Sequence, residues 1–170
     1  MHIGKPAKPV VKKYDEVKVG QLLAEADGFI SAPIHSSCSG KVKAIEKRRV
    51  IGGGMAECIV IDNDGLFTPE ADYTQRRSAD TLSNQEIIRR VQEAGVVGLG
   101  GAGFPTCVKL QPKNPDAIEY VIANGAECEP YLTCNDQLMR IHSNEIVEGL
   151  GLVLRLFPNA KGVICIEDNK

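Results

Sequence analysis

The residues of this sequence best suited to chemistry are five closely spaced glycines, Gly95, Gly98, Gly100, Gly101 and Gly103. Glycine has no Cβ and tolerates positive φ, so the backbone N–H groups of such a stretch can approach a ligand directly. Converging N–H groups form a concave site of positive potential that suits an anion such as a phosphate. We therefore expect an anion-binding loop here, with a plain glycine-rich turn as the alternative.

The spacing Gly98-x-Gly100-x-x-Gly103 also satisfies the glycine fingerprint of dinucleotide-binding folds. That fingerprint requires a strand before the glycines, a helix after them and an acidic residue about twenty positions later. Here a helix is predicted before the glycines. The nearest later acids, Asp116 and Glu119, stand in a proline-rich loop or enter a strand. The sequence thus disfavours an ordinary NAD fingerprint.

A second group of polar residues follows the apolar segment 118–123, which predicts a buried strand. Asn124, Glu127 and Glu129 stand directly after it. Since α/β proteins bind ligands at the carboxyl ends of parallel strands, we expect this amide and these carboxylates to orient a ring or a ribose. The alternative is a capped turn before a helix that begins near Asp136.

The elements around these two loops alternate in type. Residues 83–86 form a capping box that predicts a helix, which Gly95 ends. A second helix is predicted over 144–157 and a strand over 162–166. The order helix, glycine loop, strand, helix, strand is half of a parallel α/β sheet.

Residues 1–65 contain short strands and turns, which predicts a small β hybrid barrel. The pattern from Asp15 to Leu23, followed by Ala32-Pro33 and by Ser39-Gly40, resembles the biotinyl/lipoyl domain family. That family carries its cofactor on a lysine at a hairpin tip, and the corresponding turn, 25–29, has no lysine. We therefore expect a barrel without a covalent cofactor and with a structural or docking role. Residues 66–84 are predicted as a linker and 85–170 as the second domain.

Composition limits the function classes. The chain has 170 residues, 43% of them hydrophobic and 25% charged, which is typical of a soluble globular protein. The basic residues of the first 50 positions are scattered without interleaved aromatic residues, so we expect no nucleic-acid partner, and instead a solvated surface or a docking face for an acidic partner. The six cysteines contain no C-x-x-C pair and the three histidines are dispersed, so no metal site is expected.

Taken together, the two loops resemble the flavoprotein subunit of the NADH dehydrogenase of respiratory complex I, and more closely the C subunit family of the Rnf electron-transport complex. The resemblance is carried by the glycine loop 98–106, by Lys109 and by residues 124–130. It extends to residues 2–7 and to the serine-rich turn 36–40 in the first domain. Complex I has other residues at Leu99 and Ala126, so its flavin contacts do not transfer directly.

This resemblance implies a two-domain α+β and α/β architecture, in which a biotinyl/lipoyl-like barrel precedes the first part of an α/β FMN/NADH-binding domain. It implies non-covalent FMN that takes hydride from NADH and passes electrons singly to iron–sulfur centres. By position, Phe104 would stack on the dinucleotide and Glu129 would contact its nicotinamide end. The residues expected to line or hydrogen-bond FMN are Gly98, Gly100, Gly101, Ala102, Gly103, Lys109, Asn124 and Glu127.

The resemblance further implies the other subunits of a membrane electron-transport complex as partners, NADH as substrate, ferredoxin as an indirect partner, and a peripheral location on the cytoplasmic face of the cell membrane. Members of the family continue further and carry two [4Fe–4S] clusters, so the chain resembles a fragment that lacks them. Two alternatives remain open. One is a soluble electron-transfer protein of the corrinoid-reductase or proline-reductase type. The other is a non-catalytic docking scaffold.

Overall fold

A computed structural model describes residues 2–51, 53–73, 75, 78–99, 103–127 and 129–170 of the chain. The chain divides into two compact units, residues 1–109 and residues 110–170, and each is described by itself. Among the described residues, no helix has both the length and the apolar character needed to cross a membrane.

The first unit begins with two small antiparallel sheets, as expected from the short strands and turns of the sequence. Their strand orders are β1-β3-β4 and β2-β5-β6. Val11, Val17, Leu23 and Val42 form the buried core, because alternate residues of the strands point to one face. The strands are β1 (Lys8–Pro9), β2 (Glu16–Val17), β3 (Leu22–Glu25), β4 (Ile34–His35), β5 (Gly40–Arg49) and β6 (Met55–Asn63).

The segment after the barrel is packed on it through residue 73. The Val19 N–H donates to the Thr68 carbonyl and the Glu70 N–H donates to the Val19 carbonyl, both at 2.9 Å. A Cβ on Gly20 would collide with the ring of Tyr73, so these two residues are in close contact. Part of the predicted linker is therefore attached to the barrel, while the division of the sequence into domains stays a prediction.

Helix α1 (Asn84–Glu93) begins as the capping box predicted. The Ser83 hydroxyl accepts the Glu86 N–H at 3.2 Å, which satisfies one of the free donors of the first turn. The Glu86 carboxylate pairs with the guanidinium groups of Arg89 and Arg90. Ile87 is the buried residue of the apolar face, at 2% exposure.

The end of α1 is a Schellman motif centred on Gly95. Gly95 has a φ of 67°, its N–H donates to the Gln92 carbonyl at 3.0 Å, and the Val96 N–H donates to the Val91 carbonyl at 3.2 Å. The left-handed conformation favours glycine at this position. The predicted stop is confirmed. The short helix α2 (Thr106–Lys109) follows the glycine loop and packs on α1.

The second unit is built on a parallel pair of strands, β7 (Tyr120–Asn124) and β8 (Lys161–Cys165). Two helices connect them, α3 (Cys134–Ile141) and α4 (Ser143–Leu154), and α4 packs on both strands. A Cβ at Gly162 would lie 2.7 Å from Leu154 Cδ1, so this glycine lets α4 approach β8 closely. The predicted order of elements is confirmed, although α4 ends at Leu154 rather than at residue 157.

Candidate functional site

The glycine loop is closed at its base by two backbone hydrogen bonds. The Gly98 N–H donates to the Phe104 carbonyl and the Thr106 N–H donates to the Val96 carbonyl, both at 2.9 Å. An antiparallel bridge between Val97 and Pro105 lies between these bonds. The loop is thus a short excursion from a fixed neck. The predicted site residues Gly100, Gly101 and Ala102 lie outside the described residues.

The structure brings three predicted site residues of this loop together. An ideal Cβ on Gly98 would lie 3.5 Å from Lys109 Nζ, so the ammonium group stands over bare backbone. The same Nζ lies 5.8 Å from the centroid of the Phe104 ring, within cation–π range. Lys109 is exposed and Phe104 is half-buried. A cation beside a glycine backbone at a loop neck has the chemistry that a phosphate group requires.

Gly103 fits the same purpose from the opposite side of the loop. It is buried and has a φ of 64°, a conformation that residues with a Cβ rarely adopt. Pro105 and Cys107, which follow it, are also buried, and burial raises the pKa of the Cys107 thiol. The far end of the loop is therefore anchored in the interior of the first unit, while the Lys109 side remains open.

In the second unit, the polar loop begins where β7 and β8 end side by side. The Gly125 N–H donates to the Cys165 carbonyl at 2.8 Å, and the Asn124 Oδ1 accepts the Ala126 N–H at 3.1 Å. A Cβ on Gly125 would lie 2.7 Å from the Met139 sulfur, so glycine permits α3 to pack here. The Asn124 amide therefore shapes the first turn of the loop from an exposed position at the strand end.

Glu127 has a different environment from the one expected of it. Its side chain is only 4% exposed, and its carboxylate accepts hydrogen bonds from the first turn of α3. Oε1 accepts the Asn135 N–H at 2.8 Å and the Cys134 thiol at 3.4 Å, and Oε2 accepts the Asp136 N–H at 3.4 Å and Lys170 Nζ at 2.9 Å. The Lys170 ammonium, followed by the amide donors, lowers the pKa of Glu127 to about 2. The carboxylate is therefore ionised throughout the neutral range.

Glu129 and Tyr131 form the outer part of the same loop. Glu129 is exposed, and within the described part of the chain no group donates to its carboxylate. Tyr131 is fully exposed and has a φ of 68°. Sequence reasoning did not select Tyr131, and only its position after Pro130 could have drawn attention to it. Lys170 was also missed, because nothing in its local sequence indicates its partner.

The predicted site residues thus fall into two groups. The first unit holds Gly98, Gly103, Phe104 and Lys109 around one loop neck, and the second holds Asn124, Glu127 and Glu129 in one loop after β7. The first group supplies a cation and bare backbone for an anion. The second supplies an amide and a free carboxylate for hydroxyl or amide groups of a ligand. This donor set fits the phosphate and the polar groups of a flavin nucleotide.

Two family descriptions match the chain. Residues 1–66 match the RnfC barrel sandwich hybrid domain, and residues 91–170 match the Nuo51 FMN-binding domain. These matches confirm, in coarse form, the predicted order of a barrel followed by a flavin-binding fold.

The chain is similar over its whole length to larger proteins, all of them C subunits of oxidoreductase complexes. It is 43% identical to that of the Na⁺-translocating ferredoxin:NAD⁺ oxidoreductase complex of Acetobacterium woodii and spans 38% of that protein. It is 43% identical over 99% of its length to that of the proton-translocating ferredoxin:NAD⁺ oxidoreductase complex of Clostridium ljungdahlii, of which it spans 37%. It is 40% identical to that of the ion-translocating oxidoreductase complex of Rhodobacter capsulatus and spans 33% of it.

Proposed function

This chain is homologous over its whole length to the C subunits of ion-translocating oxidoreductase complexes of the Rnf type, and we propose on that basis that it contributes an FMN site to electron transfer between NAD(H) and iron–sulfur centres. In this proposal the barrel is followed by the first part of an α/β FMN/NADH-binding domain. The chain spans 38% of its Acetobacterium woodii relative, so the activity of the whole protein is itself part of the proposal.

The observation that carries the proposal is the approach of Lys109 Nζ to the Gly98 backbone. Side chains would normally occupy the space beside a loop neck, and glycine leaves it free. A lysine ammonium over that space would pair with the FMN phosphate, with free N–H groups of the glycine loop as additional donors. The buried left-handed Gly103 would hold the loop in the required conformation.

The remaining residues would orient the rest of the nucleotide. The half-buried Phe104 ring would stack on a flat ring of the dinucleotide, and the Asn124 amide would hydrogen-bond the flavin from the end of β7. The exposed Glu129 carboxylate would accept from the ribose hydroxyls or the carboxamide of NADH. When bound, FMN would supply the ability to take two electrons as hydride and to release them one at a time.

The further partners belong to the same proposal. We place the chain peripherally on the cytoplasmic face of the membrane, with other subunits of the complex as neighbours and ferredoxin as an indirect partner. The [4Fe–4S] clusters that receive the electrons would be held by parts of the full-length protein outside this sequence.

The experiment that tests the proposal is identification of the bound cofactor. The full-length protein is purified, its visible spectrum is recorded, and the supernatant after denaturation is chromatographed against FMN, FAD and riboflavin standards. We expect a yellow protein that releases FMN and that bleaches when NADH is added without oxygen. Release of FAD, or a colourless protein that does not take up added FMN, would refute the proposal and favour a docking scaffold.

A further inference from the structure

The two carboxylates of the loop after β7 are in opposite situations. Glu127 is 4% exposed and Glu129, two residues later, is exposed. Their side chains have the same functional group and lie in the same loop, so the contacts around each carboxylate decide what each can do. This difference bears directly on which residue can contact a cofactor.

The acceptor capacity of Glu127 is already used within the second unit. A carboxylate has about four lone-pair positions. Four donors occupy them: the N–H groups of Asn135 and Asp136, the Cys134 thiol, and Lys170 Nζ. A flavin hydroxyl or N–H could bind this carboxylate only by displacing one of these donors. Displacing the Lys170 ammonium would leave a buried charge without its partner, which is costly.

The bonds from Glu127 replace a cap that α3 does not make locally. Thr133 occupies the N-cap position of α3, and its side chain makes no capping hydrogen bond. The first N–H groups of a helix need an acceptor from elsewhere, and a negative charge at this end also suits the helix dipole. Glu127 meets both needs from outside the helix.

The backbone of the same loop is attached on either side of this carboxylate. The Glu127 N–H donates to Glu167 Oε1 at 3.0 Å, and the Asn135 side-chain amide donates to the Ala126 carbonyl at 3.4 Å. Residues 126 and 127 are thus tied both to α3 and to the segment after β8. The flanking Asn124 and Glu129 are displayed from a fixed part of the loop.

From these contacts we propose that Glu127 is a positioning residue that fixes the loop after β7 by capping α3, and that Glu129 is the carboxylate of this loop that contacts the nucleotide. This inference rests on the proposed function, because it assigns roles within the same site. It departs from the expectation that Glu127 hydrogen-bonds FMN directly.

The test compares three variants of the full-length protein: Glu127→Ala, Glu127→Gln and Glu129→Gln. Glu127→Ala removes every acceptor, and we expect FMN to bind about tenfold more weakly, equivalent to about 1.4 kcal/mol. Glu127→Gln keeps one oxygen for the Asn135 N–H and should recover most of that loss. Glu129→Gln, the matched control in the same loop, should leave the FMN affinity close to that of the wild type and raise the KM for NADH.

A direct contact between Glu127 and FMN gives the opposite pattern. If Glu127→Gln weakens FMN binding as much as Glu127→Ala while the thermal midpoint is unchanged, the carboxylate acts on the flavin and the positioning role is wrong. The same conclusion follows if Glu129→Gln affects FMN binding and leaves the KM for NADH unchanged.

Amide hydrogen exchange separates this inference from the proposed function. We expect the N–H groups of Asn135 and Asp136 to exchange faster in Glu127→Ala than in the wild type, with or without cofactor. If wild-type protein binds no FMN, the proposed function and the positioning role for a cofactor both fail, and faster exchange would leave Glu127 as a helix cap alone. Unchanged exchange in a protein that does bind FMN would overturn the capping contact and leave the proposed function standing.

Discussion

Gly95 lies directly against the carbonyl oxygen of Pro33, so that the C-terminal end of α1 rests on the barrel. A Cβ at Gly95 would collide with that oxygen, and the φ of 67° disfavours any side chain there. The glycine loop begins three residues later. The barrel, which lacks the lysine of cofactor-carrying barrels, therefore supports the element from which the glycine loop starts.

Replacement of Gly95 by alanine should destabilise the first unit. The left-handed conformation costs a residue with a Cβ roughly 1–2 kcal/mol, and the collision with Pro33 adds to that cost. We expect a lower urea midpoint for Gly95→Ala. Gly149→Ala is the control, because Gly149 lies inside α4 with open space around its Cα, where alanine is favoured. Equal midpoints for Gly95→Ala and the wild type would show that α1 does not end on the barrel as described.

The N-terminal cap of α1 gives a second prediction. Ser83→Ala removes the acceptor of the Glu86 N–H and should lower the free energy of unfolding by about 1 kcal/mol. Ser83→Thr keeps the hydroxyl group and should retain most of the stability. Urea denaturation followed by far-ultraviolet circular dichroism measures both variants. A Ser83→Ala protein as stable as the wild type would contradict the capping role.

These two ends of α1 show what the sequence could predict. A cap, a helix stop and the order of helices and strands depend on residues a few positions apart, so local pattern was enough to find them. The glycine loop and the loop after β7 were identified for the same reason. Both are local clusters of residue types with an evident chemical use.

The contacts that were not predicted join residues distant in the chain. Glu127 and Lys170 are 43 positions apart, and their ion pair exists only because β7 and β8 end side by side. The contact of Gly95 with Pro33 and the attachment of residues 68–73 to Val19 and Gly20 are of the same kind. Sequence reasoning could see that Glu127 is a carboxylate but not which donors surround it.

Lys109 should determine how tightly the phosphate of FMN is held. A charge-assisted hydrogen bond contributes about 1.5–3 kcal/mol, so Lys109→Met should weaken FMN binding about tenfold or more. Riboflavin, which has no phosphate, should bind wild type and variant alike. Lys113→Met, at an exposed lysine nearby in the sequence, is the control. Equal weakening of FMN and riboflavin binding would place Lys109 away from the phosphate.

The stability of the second unit should depend on pH through Glu127. Its pKa is lowered from 4.5 to about 2, chiefly by Lys170, so the ionised form is favoured in the folded state. A lowered pKa contributes stability above the unfolded value, and that contribution is lost as the pH falls from about 4.5 towards 2. We expect the urea midpoints of wild type and Glu127→Gln to differ at pH 7 and to converge near pH 2.5. A difference that does not shrink on acidification would contradict the lowered pKa.

The measurement that tests the central claim most directly is a fluorescence titration of FMN with the full-length protein and two glycine variants. We predict saturable quenching by the wild type and by Gly149→Ala. Gly98→Val should bind about tenfold more weakly or worse, because its methyl groups would occupy the space next to Lys109 Nζ. Absence of saturable quenching by the wild type, or equal affinity in all three proteins, would contradict an FMN site at the glycine loop.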